Sequence, residues 1–98
     1  MLIGMSVEVR NDKSQSQYTI LADGEPVGFA VYQVAGHDIA FTHTEVDPSK
    51  QGKGYAGMLV QEALDDVRAT SDLRVVPACS YVATWVERHP EYDELTRR

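Results

Sequence analysis

Chemistry on this chain concentrates in one short run, Gln51-Gly52-Lys53-Gly54-Tyr55-Ala56, flanked by a His-x-Glu pair, His43 and Glu45, and by a lone cysteine, Cys79. Two glycines one residue apart can both take positive φ and leave the main chain bare beside a bulky ligand. The amides that open a helix have no partners within it, and the helix dipole favours an anion there. Lys53 supplies a counter-charge, Lys50 stands three residues earlier, and Ala56 and Gly57 are small enough for a ligand to lie against the helix. On residue chemistry two readings of the run stay open: an anion-binding turn, or a turn needed only for packing. It is neither of the two familiar nucleotide motifs. The phosphate loop of nucleotide hydrolases needs Ser or Thr after Gly-Lys, where this chain has Gly54. The dinucleotide fingerprint lacks its third glycine and its first-strand βαβ setting.

The flanking residues carry their own alternatives. Cys79 falls at the mouth of an expected helix, where a thiolate is stabilised, but lone cysteines also serve as small buried hydrophobes. Strict alternation puts Ile39, Phe41, His43 and Glu45 on one face of a strand and Ala40, Thr42, Thr44 and Val46 on the other. On that face His43 can accept a proton from an ammonium or thiol while Glu45 orients it; an exposed edge pair is the alternative. His89, just before Pro90, either finishes the last helix or lines a site. Tyr81 and Trp85 share an i, i+4 face, read as core packing ahead of substrate stacking. Three scattered histidines and one cysteine give no metal site.

The elements that must position these residues follow from periodicity. Val7 and Val9, then Tyr18, Ile20 and Ala22, alternate on either side of a polar stretch, Asn11 to Gln17, which predicts a hairpin with a loose connection. Asp23-Gly24 is a tight-turn signal. Val27–Ala35 and Ile39–Val46 complete a four-strand antiparallel meander, turned at Gly36-His37-Asp38. From Tyr55 to Ala69, Leu59, Ala63, Leu64 and Val67 recur at helical spacing. Leu73–Val76 is a short strand closed by Pro77, and a second helix runs from Ser80 to Arg88 with Val82, Trp85, Val86 and His89 on one face. The order ββββαβα predicts an α+β mixed sheet in one domain over residues 1–98. A helical crossover makes the fourth and fifth strands parallel neighbours, and the long helix starts where they diverge.

Bulk properties narrow the class. A 98-residue chain is one domain, and 43 % apolar residues suffice for a modest core. The net charge of −6 lacks the basic footprint of a nucleic-acid binder and suits a cationic substrate such as an amine. No run approaches the roughly 18 apolar residues of a membrane span, and Met1-Leu2-Ile3-Gly4-Met5 is too short and uncharged for a secretory signal. One cysteine excludes an internal disulfide. Together these features predict a cytoplasmic protein.

Ordered along the chain, His43-Thr44-Glu45-Val46, Gln51-Gly52-Lys53-Gly54-Tyr55-Ala56, Pro77-x-Cys79-x-Tyr81-Val82 and His89-Pro90-Glu91-Tyr92 resemble the GCN5-related N-acetyltransferase superfamily, and within it a minimal acetyltransferase-like subfamily. The glycine run is similar to the superfamily's Gln/Arg-x-x-Gly-x-Gly/Ala signature. The resemblance implies an acyl-CoA N-acyltransferase-like fold and acetyl-CoA as cofactor. Amides from Gln51 to Ala56 would hold its pyrophosphate, and its pantetheine arm would lie along Thr44 to Val46. It also implies transfer of acetyl to a small-molecule or peptide amine, directly or through a Cys79 thioester. The superfamily's final β-hairpin, which helps build the acceptor pocket, has no counterpart here. Cofactor binding therefore carries over better than acceptor class, and a non-catalytic CoA-binding or adaptor module is the competing expectation.

Overall fold

In the computed structural model, residues 6–98 are described; the leading segment read above for a signal lies outside them. The elements are β1 (Val7–Asp12), β2 (Gln17–Ala22), β3 (Glu25–Ala35), β4 (Asp38–Val46), α1 (Tyr55–Thr70), β5 (Arg74–Pro77) and α2 (Ser80–Arg88), with 3₁₀ turns at Pro48–Lys50 and Pro90–Arg97. The five strands form one sheet in sequence order. The first four pair antiparallel, while β4 and β5 run parallel across the α1 crossover. This is the expected mixed α+β sheet.

Local chemistry explains the turns. Asp23 and Gly24 both take positive φ, 51° and 82°, in the two-residue hairpin of which Asp-Gly is a signature. The first hairpin is tighter than its polar sequence suggests. Ladder pairing reaches Asp12 and Gln17, leaving only four residues between, and the Asp12 carboxylate accepts from Ser14 and Gln15. Those two bonds stiffen a segment whose composition alone reads as loose loop.

The helices cover one face of the sheet. Tyr55, Leu59, Val60, Ala63, Leu64 and Val67 of α1 are buried, with Val82, Trp85 and Val86 of α2 beside them. They meet Tyr18, Ile20, Ala30, Tyr32, Ile39 and Phe41 of the strands in one cluster. Two tyrosines pin sheet and tail to α1: Tyr18 donates to Asp66 at 2.6 Å and Tyr92 to Asp65 at 2.7 Å. Burial, then the neighbouring carboxylate, raises the ionisation of each above the ordinary tyrosine value. Arg68 closes the tail, its guanidinium 4.7 Å above the Tyr92 ring and bonded to Glu94 and the Glu91 carbonyl.

One irregularity decides where the site lies. Between β3 and β4 the register slips: Tyr32 pairs with Phe41 and Val31 with His43, so Thr42 has no residue opposite. A bulge inserts one residue and reverses the facing of everything beyond it. The same point ends the parallel ladder, whose last pair is Phe41 with Pro77. Proline has no N–H to continue it. At the other end of β5, Arg74 grips Asp38 through two bonds of 2.9 and 3.0 Å. The strands are thus clamped at one end and part at the other. No helix among the described residues is long and apolar enough to cross a membrane.

Candidate cofactor site

Where β4 and β5 part, a cavity of about 390 Å³ opens against the start of α1. Thr44 and Val46 form its β4 wall, Lys50 to Gly52 and Gly54 to Gly57 its floor, and Tyr81 of α2 its far side. Thr44 pairs with Ala30, which pairs with Tyr18, and Tyr18 bonds to α1. Thr44 therefore faces the helices. Beyond Phe41, β4 has a strand partner only on its β3 side, so its other edge offers backbone donors and acceptors to a ligand. The Gln51 side-chain amide donates from Nε2 to the Val46 carbonyl at 3.5 Å, folding the loop over the end of this edge.

Backbone conformation builds the floor. Gly52 and Gly54 sit at φ 84° and 78°, a region costly for other residues. A Cβ on Gly54 would meet nothing within 4 Å, so its backbone twist, rather than crowding within the protein, demands glycine. Gly54 is also the N-cap of α1 and brings no side chain to accept from the first-turn amides. A helix start without a side-chain cap, opening into a cavity, suits an anionic ligand. Upstream, Asp47 caps the Pro48–Lys50 turn by accepting from the Ser49 amide and hydroxyl, which hold its carboxyl below the usual range. That turn places Lys50 on the cavity wall. Lys53 is exposed and is not among the lining residues. Lys50 thus lines the cavity, and Lys53 stands between two residues that do, Gly52 and Gly54.

The other sequence candidates divide. Cys79 is the N-cap of α2, its Sγ 3.5 Å from both the Val82 amide and the Thr44 hydroxyl. It stands partly buried across the gap from β4, behind the lining rather than in it. His43 and Glu45 do meet, Nε2 to Oε1 at 3.1 Å, but not on the face that strict alternation assigned them. The Thr42 bulge breaks that alternation. Ile39 and Phe41 enter the core, whereas His43 and Glu45 pair with Val31 and Phe29 and point to the opposite, open face of the sheet. Their side chains are 56 % and 57 % exposed, and His43 lies against the Phe29 ring. Tyr81 corrects the core reading in the other direction. It is 41 % exposed and lines the cavity, while Trp85 is the packed residue. His89 caps the helix as expected, its Nδ1 2.7 Å from the Trp85 carbonyl, and also stacks on the indole at 3.8 Å. Among the described residues no group of histidine, cysteine and carboxylates is placed to hold a metal ion.

Comparison with known proteins is consistent in direction. A family model described as GCN5-related N-acetyl-transferase matches residues 17–95. The chain is 32 % identical over 96 residues to Protein NATD1 of Bos taurus, covering 96 % of this chain and 84 % of that protein. It is 30 % identical to the Homo sapiens Protein NATD1 over the same length, with the same coverage. A crystal structure of the ribosomal-protein-alanine N-acetyltransferase from Brucella melitensis biovar Abortus 2308 aligns with a TM-score of 0.57 at 20 % identity, over 80 % of this chain. At that identity the likeness is one of fold, and the aligned part spans 59 % of the solved chain.

Proposed function

The chain belongs to the GCN5-related N-acetyltransferase family, and from that premise we propose that it binds acetyl-CoA in the cavity between β4 and β5 and transfers the acetyl group to an amine. One observation carries the reading: the parted strands open directly onto an α1 start that has no side-chain cap and is lined by Lys50. The pyrophosphate is assigned to the backbone of Gln51 to Ala56, with Lys50 as counter-charge. The pantetheine arm is assigned to the unpaired edge of β4 at Thr44 to Val46, where its amides find main-chain partners as an added strand would. The residues fit the ligand in kind: a helix start without a side-chain cap for phosphate, strand edge for amide, and a gap at Thr44 for the thioester.

In the direct route, a neutral amine attacks the thioester carbonyl, the new C–N bond forms, the C–S bond breaks, and the CoA thiolate departs. The proton lost by the amine passes to a base. His43, oriented by Glu45, is the candidate, standing on the open face from which an amine arrives. In the covalent route, Cys79 Sγ takes the acetyl first and releases CoA, and the amine then attacks the cysteinyl thioester. Thr44 Oγ1 fixes the sulfur in either case.

A brief acetyl-CoA pulse, quenched in acid and read by intact-mass spectrometry, separates the routes. A +42 Da adduct, as expected for one acetyl group, absent from Cys79→Ala and formed as fast as turnover, establishes the covalent route. No adduct at any time, with Cys79→Ser still active, establishes direct transfer. A second reading, a CoA-responsive binding module, is favoured by the placement of His43 and Glu45 outside the cavity. It predicts saturable CoA binding without turnover across peptides, polyamines and small amines. Failure of CoA to bind at all sinks both readings.

A further inference from the structure

At the end of the sheet away from the cavity, β1 is an edge that nothing among the described residues occupies. It pairs only with β2, whereas the opposite edge strand, β5, has the Pro90–Arg97 turn packed against it. The unpaired backbone groups of such an edge invite another strand, and soluble chains blunt it with a bulge, a proline or charges. β1 has neither bulge nor proline: its register with β2 runs unbroken from Val7 to Asp12. What it has is charges, and their arrangement decides which strand they turn away.

The ladder fixes what the edge presents. The Ser6 carbonyl accepts from the Asp23 amide at 2.7 Å, and the Ser6 amide donates to the Asp23 carboxylate at 2.9 Å, so the backbone of Ser6 faces β2. Alternation gives Glu8, Arg10 and Asp12 the same sense and turns the amides and carbonyls of Val7, Val9 and Asn11 outward. Side chains sort by face. Val7, Val9 and Asn11 stand opposite Ala22, Ile20 and Tyr18 on the helix side; Glu8 and Arg10 stand opposite Leu21 and Thr19 on the open side. There Arg10 donates to the Glu8 carboxylate at 2.9 and 3.2 Å. On the helix side, Val7 and Met58 are two of the four large apolar side chains left exposed among the described residues, and both line a groove between β1 and α1.

We propose that β1 is a self-association edge, which takes β1 of a second copy antiparallel about a two-fold axis through Val9. In that register Val9 faces Val9 of the second copy and Val7 faces its Asn11, and each such pair exchanges two backbone hydrogen bonds. Glu8 of each copy then falls opposite Arg10 of the other, in the closer, non-hydrogen-bonded kind of pair, and the charges close into a ring on the open face. Sliding either strand by two residues destroys this. One way sets Glu8 against Glu8; the other sets Arg10 against Arg10 and Glu8 against Asp12. A one-residue slip sets outward backbone groups against groups already committed to β2. On the helix face Val7 and Val9 of both copies meet beside Met58, and the two five-stranded sheets become one. The contact is isologous, so it closes at two copies. Charges that repel other strands thus select this one.

Sedimentation of the full chain at rising concentration should show a reversible increase from the 10.9 kDa chain mass toward twice that value. Glu8→Arg alone and Arg10→Glu alone each set like charges across the axis and should raise the dimer Kd about tenfold or more. Mixed in equal amounts, the two variants should recover wild-type association, because every charge again faces its opposite. The double variant Glu8→Arg/Arg10→Glu, which also keeps the ion pair within each strand, should recover it alone. Both residues are exposed, so melting at concentrations where wild type is monomeric serves as the folding control. A wild type that stays monomeric at its highest concentration overturns the inference and leaves the edge to a strand of another protein. A dimer indifferent to both single variants, or no recovery in either the mixture or the double variant, overturns it as well. None of these readouts involves CoA, so this inference and the cofactor reading stand or fall separately.

Discussion

Gly57→Ala should stabilise the protein and weaken its hold on CoA, two effects of opposite sign from one methyl group. Gly57 is the third residue of α1 and lies in ordinary helix, outside the positive-φ set. Alanine there lowers the backbone entropy lost on folding, worth about 0.5–1 kcal/mol. The new Cβ meets Trp85 Nε1 and Tyr81 Oη at 3.8 Å, which is van der Waals contact and moves nothing. For a domain of this size the gain is a rise of roughly 2–6 °C in Tm. The same methyl projects into the cavity, which Gly57 lines. Crowding of a close-fitted group costs about 1–3 kcal/mol, so CoA affinity should fall about 5- to 150-fold. Thermal melting of the free variant and calorimetric titration with CoA give both numbers on one preparation. A variant that melts higher and binds CoA as well as wild type refutes the placement of the cofactor across the first turn of α1. One that melts lower refutes the packing argument at Gly57 itself.

Three further outcomes follow from the same geometry. Lys50→Ala should lower CoA affinity more than Lys53→Ala, and the difference should shrink as salt rises from 0.05 to 0.5 M, because only Lys50 lines the cavity; the reverse order would restore Lys53 as the counter-charge. His43→Gln and Glu45→Gln should leave the Kd for CoA within about twofold while kcat falls roughly 10²-fold or more, as loss of a general base does; turnover unchanged in both would remove them from the mechanism. Tyr18 ionises above the ordinary tyrosine value of about 10 once folded. Its share of stability is therefore whole below about pH 10 and drains as pH rises through the raised value. Urea melts should show wild type weakening from pH 9 to 11.5 and Tyr18→Phe weakening less over that range, and parallel curves would mean that the Tyr18–Asp66 bond does not govern alkaline stability.

Much of the frame was legible because it is written in local pattern. Asp23-Gly24 gave its turn, and Leu59, Ala63, Leu64 and Val67 gave the buried face of α1. The crossover gave a parallel β4–β5 pair, and Pro77 marked where that pair stops. What escaped depends on partners distant in sequence. Lys53 adjoins the glycines in the chain, whereas Lys50 reaches the cavity through the Pro48–Lys50 turn that Asp47 caps. Tyr81 and Trp85 are indistinguishable by spacing. Only the packing of α2 beside α1 buries Trp85 to 7 % exposure and leaves Tyr81 over the cavity.

The Thr42 bulge shows most clearly how one such distant decision organises the rest. Nothing in Phe41-Thr42-His43-Thr44 signals an inserted residue, because the slip exists only in the pairing with Tyr32 and Val31. Without it, His43 and Glu45 would continue the core face begun by Ile39 and Phe41, and Thr44 and Val46 would point away from the helices. A histidine and a glutamate would then be forced against α1, an expensive burial of groups that carry or acquire charge. The bulge removes that cost and turns Thr44 toward Cys79 in the same step. It also coincides with the end of the β4–β5 ladder, so beyond it β4 is a free edge between two differently equipped faces. The helix side has a helix start without a side-chain cap, Lys50 and the cavity; the open side has an exposed imidazole–carboxylate pair. On the proposed reading, donor and acceptor need not compete for one pocket. The acyl donor is held from the helix side, the amine arrives from the other, and the two meet at Thr44, where the strands part.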